Sequence, residues 1–350
     1  MHNEFYQQIL RGGPPYIIAE LGANHNGDMK LARNLIAAAK EAGADCVKFQ
    51  SWTKESVFSR KIYDDNYFLK DDYRNRTDFT MEQLVEKFSI SENELLEMNL
   101  FARESSIDCT STPFSNREVD YLVDTIRPPF IKIASMDINN YPFLDYIARK
   151  NLPIVISTGL SELSEIDKAI RTIEKRGNKM IVILHCVSIY PPKDEQINLE
   201  NMETLKRIYP YPVGFSDHTL GFSIPLAAVA KQACIIEKHF TLDKNMEGWD
   251  HKISATPEEL KIICSESKRI TKALGTARIL CEEDVDRLNA FRRSIVTTRV
   301  IKAGEIIQSA DLDYKRPGSG IPPEAAEYIV GRTAKNEIAC DQPISLEDLV

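Results

Sequence analysis

Between residues 16 and 240 the chain repeats one pattern eight times: a short unbroken apolar run, then a stretch with helical spacing. The runs cover 16–21, 45–51, 107–112, 130–135, 153–158, 180–187, 212–216 and 234–240. Continuous rather than alternating apolarity marks strands covered on both faces, as in a parallel sheet. The stretches that follow read as helices over 29–42, 91–105, 116–125, 141–149, 162–175, 199–208, 223–231 and 257–274. In the first of these Leu31, Leu35 and Ala39 share a stripe, Asp28 can cap the start, and Gly43 stands where a C-terminus wants it. Eight strand–helix units in about 260 residues match the count and size of a TIM barrel. A doubly wound open sheet uses the same alternation, usually with fewer strands.

The strand ends favour the barrel. Nearly every run closes on residues capable of chemistry: Glu20, Lys48 and Gln50, Thr112, Lys132 and Ser135, Ser157, His185 and Ser188, Ser216 and His218, Glu237 and His239. One shared mouth explains this, because barrel sites are built at the C-terminal ends of the strands.

After Gly275 the rhythm changes, and the expected organisation is a barrel over 1–275, a charged linker over 276–292 with one helical turn, and a small domain over 293–350. That last part is short-stranded and holds a weak repeat, IKAGEIIQSADLD (301–313) against IACDQPISLEDLV (338–350). A β-rich domain with two similar halves follows, thin in core and helped by docking onto a partner.

Apolar residues make up 43% of the 350, which suits a folded globular chain. The net charge of −8 argues against a nucleic-acid surface, so an anionic ligand requires locally placed cations. No apolar run approaches the roughly 20 residues of a membrane span. The polar opening, residues 1–11, does not read as a secretory signal, and the seven scattered Cys include no C-x-x-C pair. Together these features suggest a reducing, cytoplasmic setting.

Within the expected mouth, His218 and His239 close neighbouring strands, with Asp217, Glu237 and Glu20 nearby. Such a mixed nitrogen–oxygen set suits Mn²⁺, Fe²⁺, Co²⁺ or Zn²⁺ better than Mg²⁺ or Ca²⁺. Hydrogen-bonded structural histidines would satisfy the same pattern. Lys48 and Lys132 alternate with apolar neighbours and so point inward, where an ammonium needs an anion. Substrate phosphate and carboxylate would supply it, with Thr112, Ser135, Ser157 and Ser216 as further donors; internal Lys–carboxylate pairs are the competing explanation. Lys238 can equally face the helices. In ELGANHNG (20–27) only Glu20 is not accounted for by turn chemistry, and KRPGSG (315–320) offers two cations on a flexible loop.

The motifs IIAELGANHNGD, GADCVKFQSW, STPFS, FIKIAS followed by YPF, ISTG, HCVSIYP, GFSDHTLG, IEKHFTLDK and KRPGSG occur in this order. Together they resemble the sialic acid (N-acetylneuraminate) synthase family, which includes the pseudaminic and legionaminic acid synthases, from about residue 14 to the C-terminus. The resemblance implies a TIM barrel joined to a small SAF domain (a β-clip, like type III antifreeze protein). The implied reaction condenses phosphoenolpyruvate with an N-acylated amino sugar and releases phosphate. Its cofactor would be a divalent ion, Mn²⁺ first, with Mg²⁺ or Co²⁺ as substitutes.

Carried over by motif, His218 and His239 would be metal ligands, and Glu20 and Glu237 the catalytic carboxylates. Lys48, Thr112, Lys132, Ser135, Ser157, Ser188 and Ser216 would hold phosphoenolpyruvate, while Gln50, Tyr190, Glu237 and Asp250 would meet the sugar. Arg316 would reach into the other subunit of a domain-swapped homodimer.

Two departures stand out. Ser188 occupies the place of a usual Asn in HC-x-N-IYP, and EGWDHKIS (247–254) replaces a Pro-Gly-Pro-Asp form, which weakens N-acetylmannosamine as the acceptor. His251 in that segment could contact an acceptor substituent. Two other readings are open: a Schiff-base pyruvate aldolase using Lys132 or Lys48, and a non-enzymatic sugar-binding barrel.

Overall fold

A computed structural model describes residues 3–65, 80–277 and 285–350. Its contacts divide into two compact units, Met1–Gly275 and Thr276–Val350. The first is built on eight strands: β1 (Tyr16–Gly22), β2 (Cys46–Gln50), β3 (Asp108–Thr112), β4 (Ile131–Ile133), β5 (Ile154–Ser157), β6 (Ile181–Cys186), β7 (Val213–Asp217) and β8 (Ile235–His239). They lie in the order β3-β2-β1-β8-β7-β6-β5-β4, and every ladder is parallel. Between the two end strands Thr110 Oγ1 donates to the Phe130 carbonyl at 2.9 Å, so the sheet curls into a near-closed barrel. All eight runs are therefore strands, and the open-sheet alternative falls.

Eight helices follow the strands: α1 (Met29–Ala42), α2 (Glu92–Glu104), α3 (Asn116–Tyr121), α4 (Tyr141–Ala148), α5 (Leu163–Glu174), α6 (Glu200–Ile208), α7 (Ser223–Ala230) and α8 (Pro257–Leu274). The α1 caps are those the sequence suggests: Asp28 accepts from the Lys30 and Leu31 amides, and Gly43 turns left-handed.

Side-chain alternation divides each strand's work. In β1, Ile17, Ala19 and Leu21 face the helices in the main core, while Tyr16 and Ile18 join an inner cluster with Cys46, Phe130, Val155, Val182, Leu184 and Ile235. Phe5, Tyr6 and Ile9 of helix Glu4–Arg11 complete that inner cluster and stopper the N-terminal end of the barrel. This helix, capped by Asn3, was not evident in the polar opening of the sequence. With the lower lumen filled by apolar groups, only its upper layer is left for polar ones.

In the second unit β9 (Ser294–Thr297) and β10 (Leu312–Lys315) pair antiparallel over Ile295, Ile301, Ile307, Ile321, Ile329, Ile338 and Ile344. The repeat is structural. Ile301 and Ile338 exchange both backbone hydrogen bonds (2.9 and 2.8 Å), and matching 3₁₀ turns, Ser309–Asp311 and Leu346–Asp348, carry matching capping boxes. The stretch read as a linker carries a helix, Val285–Phe291, rather than a single turn, and its residues 278–284 lie outside the described residues. Among the described residues no helix is long and apolar enough to cross a membrane.

Candidate active site

Alternation carries Glu20, Lys48, Gln50, Thr112, Lys132, Ser157, Cys186, Ser216, Glu237 and His239 into the upper layer of the barrel. Glu237 is the hub. Its Oε1 accepts from Ser216 Oγ at 2.9 Å and lies 3.6 Å from Lys132 Nζ, and its Oε2 lies 3.8 Å from Lys48 Nζ. Lys48 also pairs with Glu20 and donates to Thr112 Oγ1 at 3.0 Å; Lys132 donates to Ser157 Oγ at 2.8 Å. Gln50 Nε2 donates to Glu20 Oε1 at 3.3 Å. The two inward lysines thus already face protein carboxylates, as the competing explanation required.

Burial pushes the Lys48 ammonium down to about 7; Glu237 opposes the shift and Lys132 adds to it. Burial would raise Glu237, but Lys132, Lys48 and the Ser216 bond outweigh it and leave the carboxyl below its ordinary range.

The imidazoles of His218 and His239 stand with ring centres 5.5 Å apart, both 6% exposed. His218 Nδ1 bonds the Val187 carbonyl at 2.8 Å, which directs its other nitrogen into the mouth. Tyr190 covers the same ring at 4.2 Å. Among the described residues His239 Nδ1 is buried without a hydrogen-bond partner, 3.8 Å from Asp250 Oδ2. Burial, then the charges of His218 and Lys48, hold His239 well below its ordinary pKa, so its ring is neutral and a lone pair is free to ligate. Among the described residues no three His, Cys, Asp or Glu side chains are grouped as a ligand set.

Beyond β4, Ser135 sits in a 3₁₀ turn, Ser135–Asp137, where its Oγ accepts from the Gly159 amide at 3.0 Å. A Cβ on Gly159 would come within 2.2 Å of Ser188 Oγ and 2.8 Å of Ser135 Oγ, so both hydroxyls crowd the Gly159 α-carbon. Ser188 is thus a neighbour of Ser135 at the mouth. Arg316 belongs to the second unit, exposed, with its guanidinium over Phe291 at 5.3 Å. In the same loop Lys315 is tied to Asp341 at 2.6 Å.

One open alternative is decided and two sequence readings need correction. Lys238 faces the helix layer, fully enclosed, and pairs with Asp217 at 2.6 Å. His185, one residue out of phase with the lumen, bonds the Ile197 carbonyl at 2.6 Å. His251 is a structural pin rather than a sugar contact: its ring nitrogens bond Thr241 Oγ1 (2.6 Å) and Asn26 Oδ1 (3.2 Å), and it is 1% exposed. Cys186 was missed, although alternation from His185 would have found it. Its Sγ lies 4.0 Å from both His218 Nδ1 and Ser188 Oγ. Burial raises this thiol, but His218, a hydrogen bond with Ser135 and the Lys132 charge together outweigh it and leave it at about 7.

Residues 35–278 match the NeuB family model and residues 292–350 the SAF domain model. The chain belongs to the NeuB family. It is 41% identical to the N,N'-diacetyllegionaminic acid synthase of Campylobacter jejuni over 331 residues, 94% of this chain and 98% of that one. A protein of the same name from Legionella pneumophila is 38% identical, covering 90% of this chain and 89% of its own. Among solved structures, the N-acetylneuraminic acid synthetase of Leptospira borgpetersenii superposes with a TM-score of 0.68 at 34% identity, covering 79% of this chain and 90% of that one.

Proposed function

We propose that this NeuB-family chain is a nonulosonic acid synthase. It joins phosphoenolpyruvate to an N-acylated hexosamine and releases phosphate, with a 6-deoxy diacetamido hexose as the acceptor. The observation that carries the reading is the hub: a buried carboxylate, Glu237, between two inward ammonium groups, beside two convergent imidazoles. The names of the two legionaminic relatives support the acceptor.

In the reaction C3 of phosphoenolpyruvate bonds to the sugar aldehyde carbon, water adds at C2, and the resulting phosphohemiketal collapses to a ketone and phosphate. Lys48 with Thr112, and Lys132 with Ser157, Ser135, Ser188 and Ser216, hold the carboxylate and phosphate. As C2 becomes cationic, the ionised Glu237 stabilises it. Glu20 takes a proton from the incoming water and passes it to the alkoxide that the aldehyde oxygen becomes, with Gln50 and Lys48 holding its carboxylate in place. Gln50, Tyr190 and Asp250 orient the sugar.

A divalent metal fits the orphaned His239 Nδ1 and the His218 nitrogen turned inward by Val187, and His218 and His239 would hold it. When bound, the ion polarises the sugar aldehyde as a Lewis acid. Mn²⁺ is the favoured ion, with Mg²⁺ or Co²⁺ as substitutes. His218→Ala should abolish Mn²⁺ binding in a titration of the full chain.

Catalysis belongs to residues 1–275. In a homodimer with exchanged second domains (293–350), Arg316 of each chain serves the other's acceptor, and mixed dimers with Arg316→Ala in one chain would reveal it. Among the described residues the thiols of Cys46, Cys109, Cys186, Cys234, Cys264 and Cys340 are unpaired, which fits a cytoplasmic setting.

Lys48 favours one second reading. An amine with a pKa near 7 is a competent Schiff-base nucleophile toward pyruvate. Phosphate release measured with phosphoenolpyruvate against a panel of amino sugars tests the synthase. No release with any sugar, together with a borohydride-trapped pyruvate adduct on Lys48 or Lys132, would replace it with the aldolase.

A further inference from the structure

Above the polar layer stands an aromatic cluster that the proposed chemistry does not use. Trp52 lies two residues past Gln50, and Trp249 directly precedes Asp250. Their ring centres are 6.0 Å apart; Trp52 also meets Phe114 at 6.0 Å, and Trp249 meets Phe88 edge-on at 6.3 Å. Ala23, Leu84 and Phe88 beneath them are sealed from solvent, yet both indoles are only partly covered. Large aromatic faces left half-open at a mouth offer apolar area to a ligand.

The loop bearing Trp249 is fixed. Asn26 Nδ2 donates to the Glu247 carbonyl at 2.7 Å, and His251 is held at both nitrogens. Gly248 approaches so closely that a Cβ there would stand 2.4 Å from the His251 ring and 2.5 Å from Asn26 Oδ1. Ser254 Oγ, itself bonded by Asn24, donates to the Asp250 carbonyl at 2.7 Å. Trp249 and Asp250 are therefore presented as one rigid unit, the carboxylate toward His239 and the indole toward Trp52. Trp52 Nε1 is buried and, among the described residues, has no hydrogen-bond partner. An N–H donor left unmet in an enclosed site is destabilising unless a ligand acceptor satisfies it.

From this we infer that Trp52 and Trp249 form the specificity wall of the acceptor subsite. They take the C6 methyl and an acetamido methyl of the sugar on their indole faces, and Trp52 Nε1 donates to the acetamido carbonyl oxygen. The wall rewards a 6-deoxy, N-acylated sugar and gives the 6-hydroxyl of N-acetylmannosamine nothing to bond. The inference rests on the acceptor reading above.

The test compares kcat/KM for a 6-deoxy diacetamido hexose and for N-acetylmannosamine in the wild-type chain, Trp249→Ala, Trp249→Phe and Trp52→Phe, with KM for phosphoenolpyruvate measured alongside. A methyl group in an apolar pocket is worth on the order of tenfold, so Trp249→Ala should collapse the preference by about that factor while KM for phosphoenolpyruvate holds. Trp249→Phe should restore part of it. Trp52→Phe, which keeps a ring and removes the donor, should raise KM for the diacetamido sugar severalfold. An unchanged preference, or a parallel rise in KM for phosphoenolpyruvate, would show the tryptophans to be loop core and overturn the wall alone. Absence of turnover of either sugar by the wild-type chain would overturn the acceptor reading as well.

Discussion

Lys238→Met removes an ammonium that lies 2.6 Å from Asp217 Oδ2 and also donates to the Thr219 carbonyl, in a pair with both side chains 0% exposed. At an effective dielectric near 20, charges that close attract by about 6 kcal/mol. Part of this is offset because the variant no longer buries an ammonium. What persists is a buried Asp217 carboxylate that keeps the Thr219 amide (3.0 Å) and hydroxyl (3.2 Å) as donors but has lost its cation. Breaking one side of such a pair costs about 3–5 kcal/mol, whereas replacing both sides with apolar groups is often neutral. Lys238→Met should therefore destabilise the barrel by about 3–5 kcal/mol, and adding Asp217→Leu should recover most of the loss. The pair also staples β7 to β8 on either side of the histidines, since Asp217 and Thr219 flank His218, and Lys238 lies between Glu237 and His239. Urea denaturation followed by tryptophan fluorescence reads the barrel alone, because Trp52 and Trp249 are the chain's two tryptophans. A single-variant loss under about 1 kcal/mol, or a double variant no better than the single, would refute this reasoning.

Because Lys48 loses its proton near 7 and must be charged to hold an anion, kcat/KM for phosphoenolpyruvate should fall as pH rises through that value. In Lys48→Arg the alkaline fall should vanish, since a guanidinium stays charged; a pH–rate profile unchanged by the substitution would exclude Lys48 as the titrating group. Gly159→Ala drives a methyl into Ser135 and Ser188 and should lower kcat/KM for phosphoenolpyruvate about 10–100-fold, with acceptor KM the control. His251 is neutral in the fold, its pKa pushed down to about 4 by burial. Between pH 6.5 and 4 the unfolded chain takes up a proton that the folded one refuses, so stability is full above that window and declines as pH falls through it, by roughly 3 kcal/mol at most. Denaturation midpoints of His251→Asn should show a shallower acid slope than wild type.

The barrel was legible because strands buried on both faces write unbroken apolar runs, and polar residues at the ends of those runs have no place in a covered core. The same continuity hid which face each residue takes. Lys48 reads as inward from its alternating neighbours, whereas Lys238 is left between two faces, the lumen and the helix layer, and takes the second. Parity would have decided between them, because His239 inward forces Lys238 outward, and His185 outward forces Cys186 inward. The Glu237 hub was half legible: its two lysines were evident, but their mutual distance depends on barrel closure. His251 was opaque, since its partner Asn26 is 225 residues away. The wall-forming tryptophans were visible as residues, but their meeting depends on two loops separated by nearly the whole barrel.

Helix Glu4–Arg11 seals one pole of the barrel with Phe5, Tyr6 and Ile9. Traffic of reactants and products is thereby confined to the opposite pole. An affinity handle or surface tether attached ahead of that helix would consequently anchor the enzyme with its working end facing away from the support.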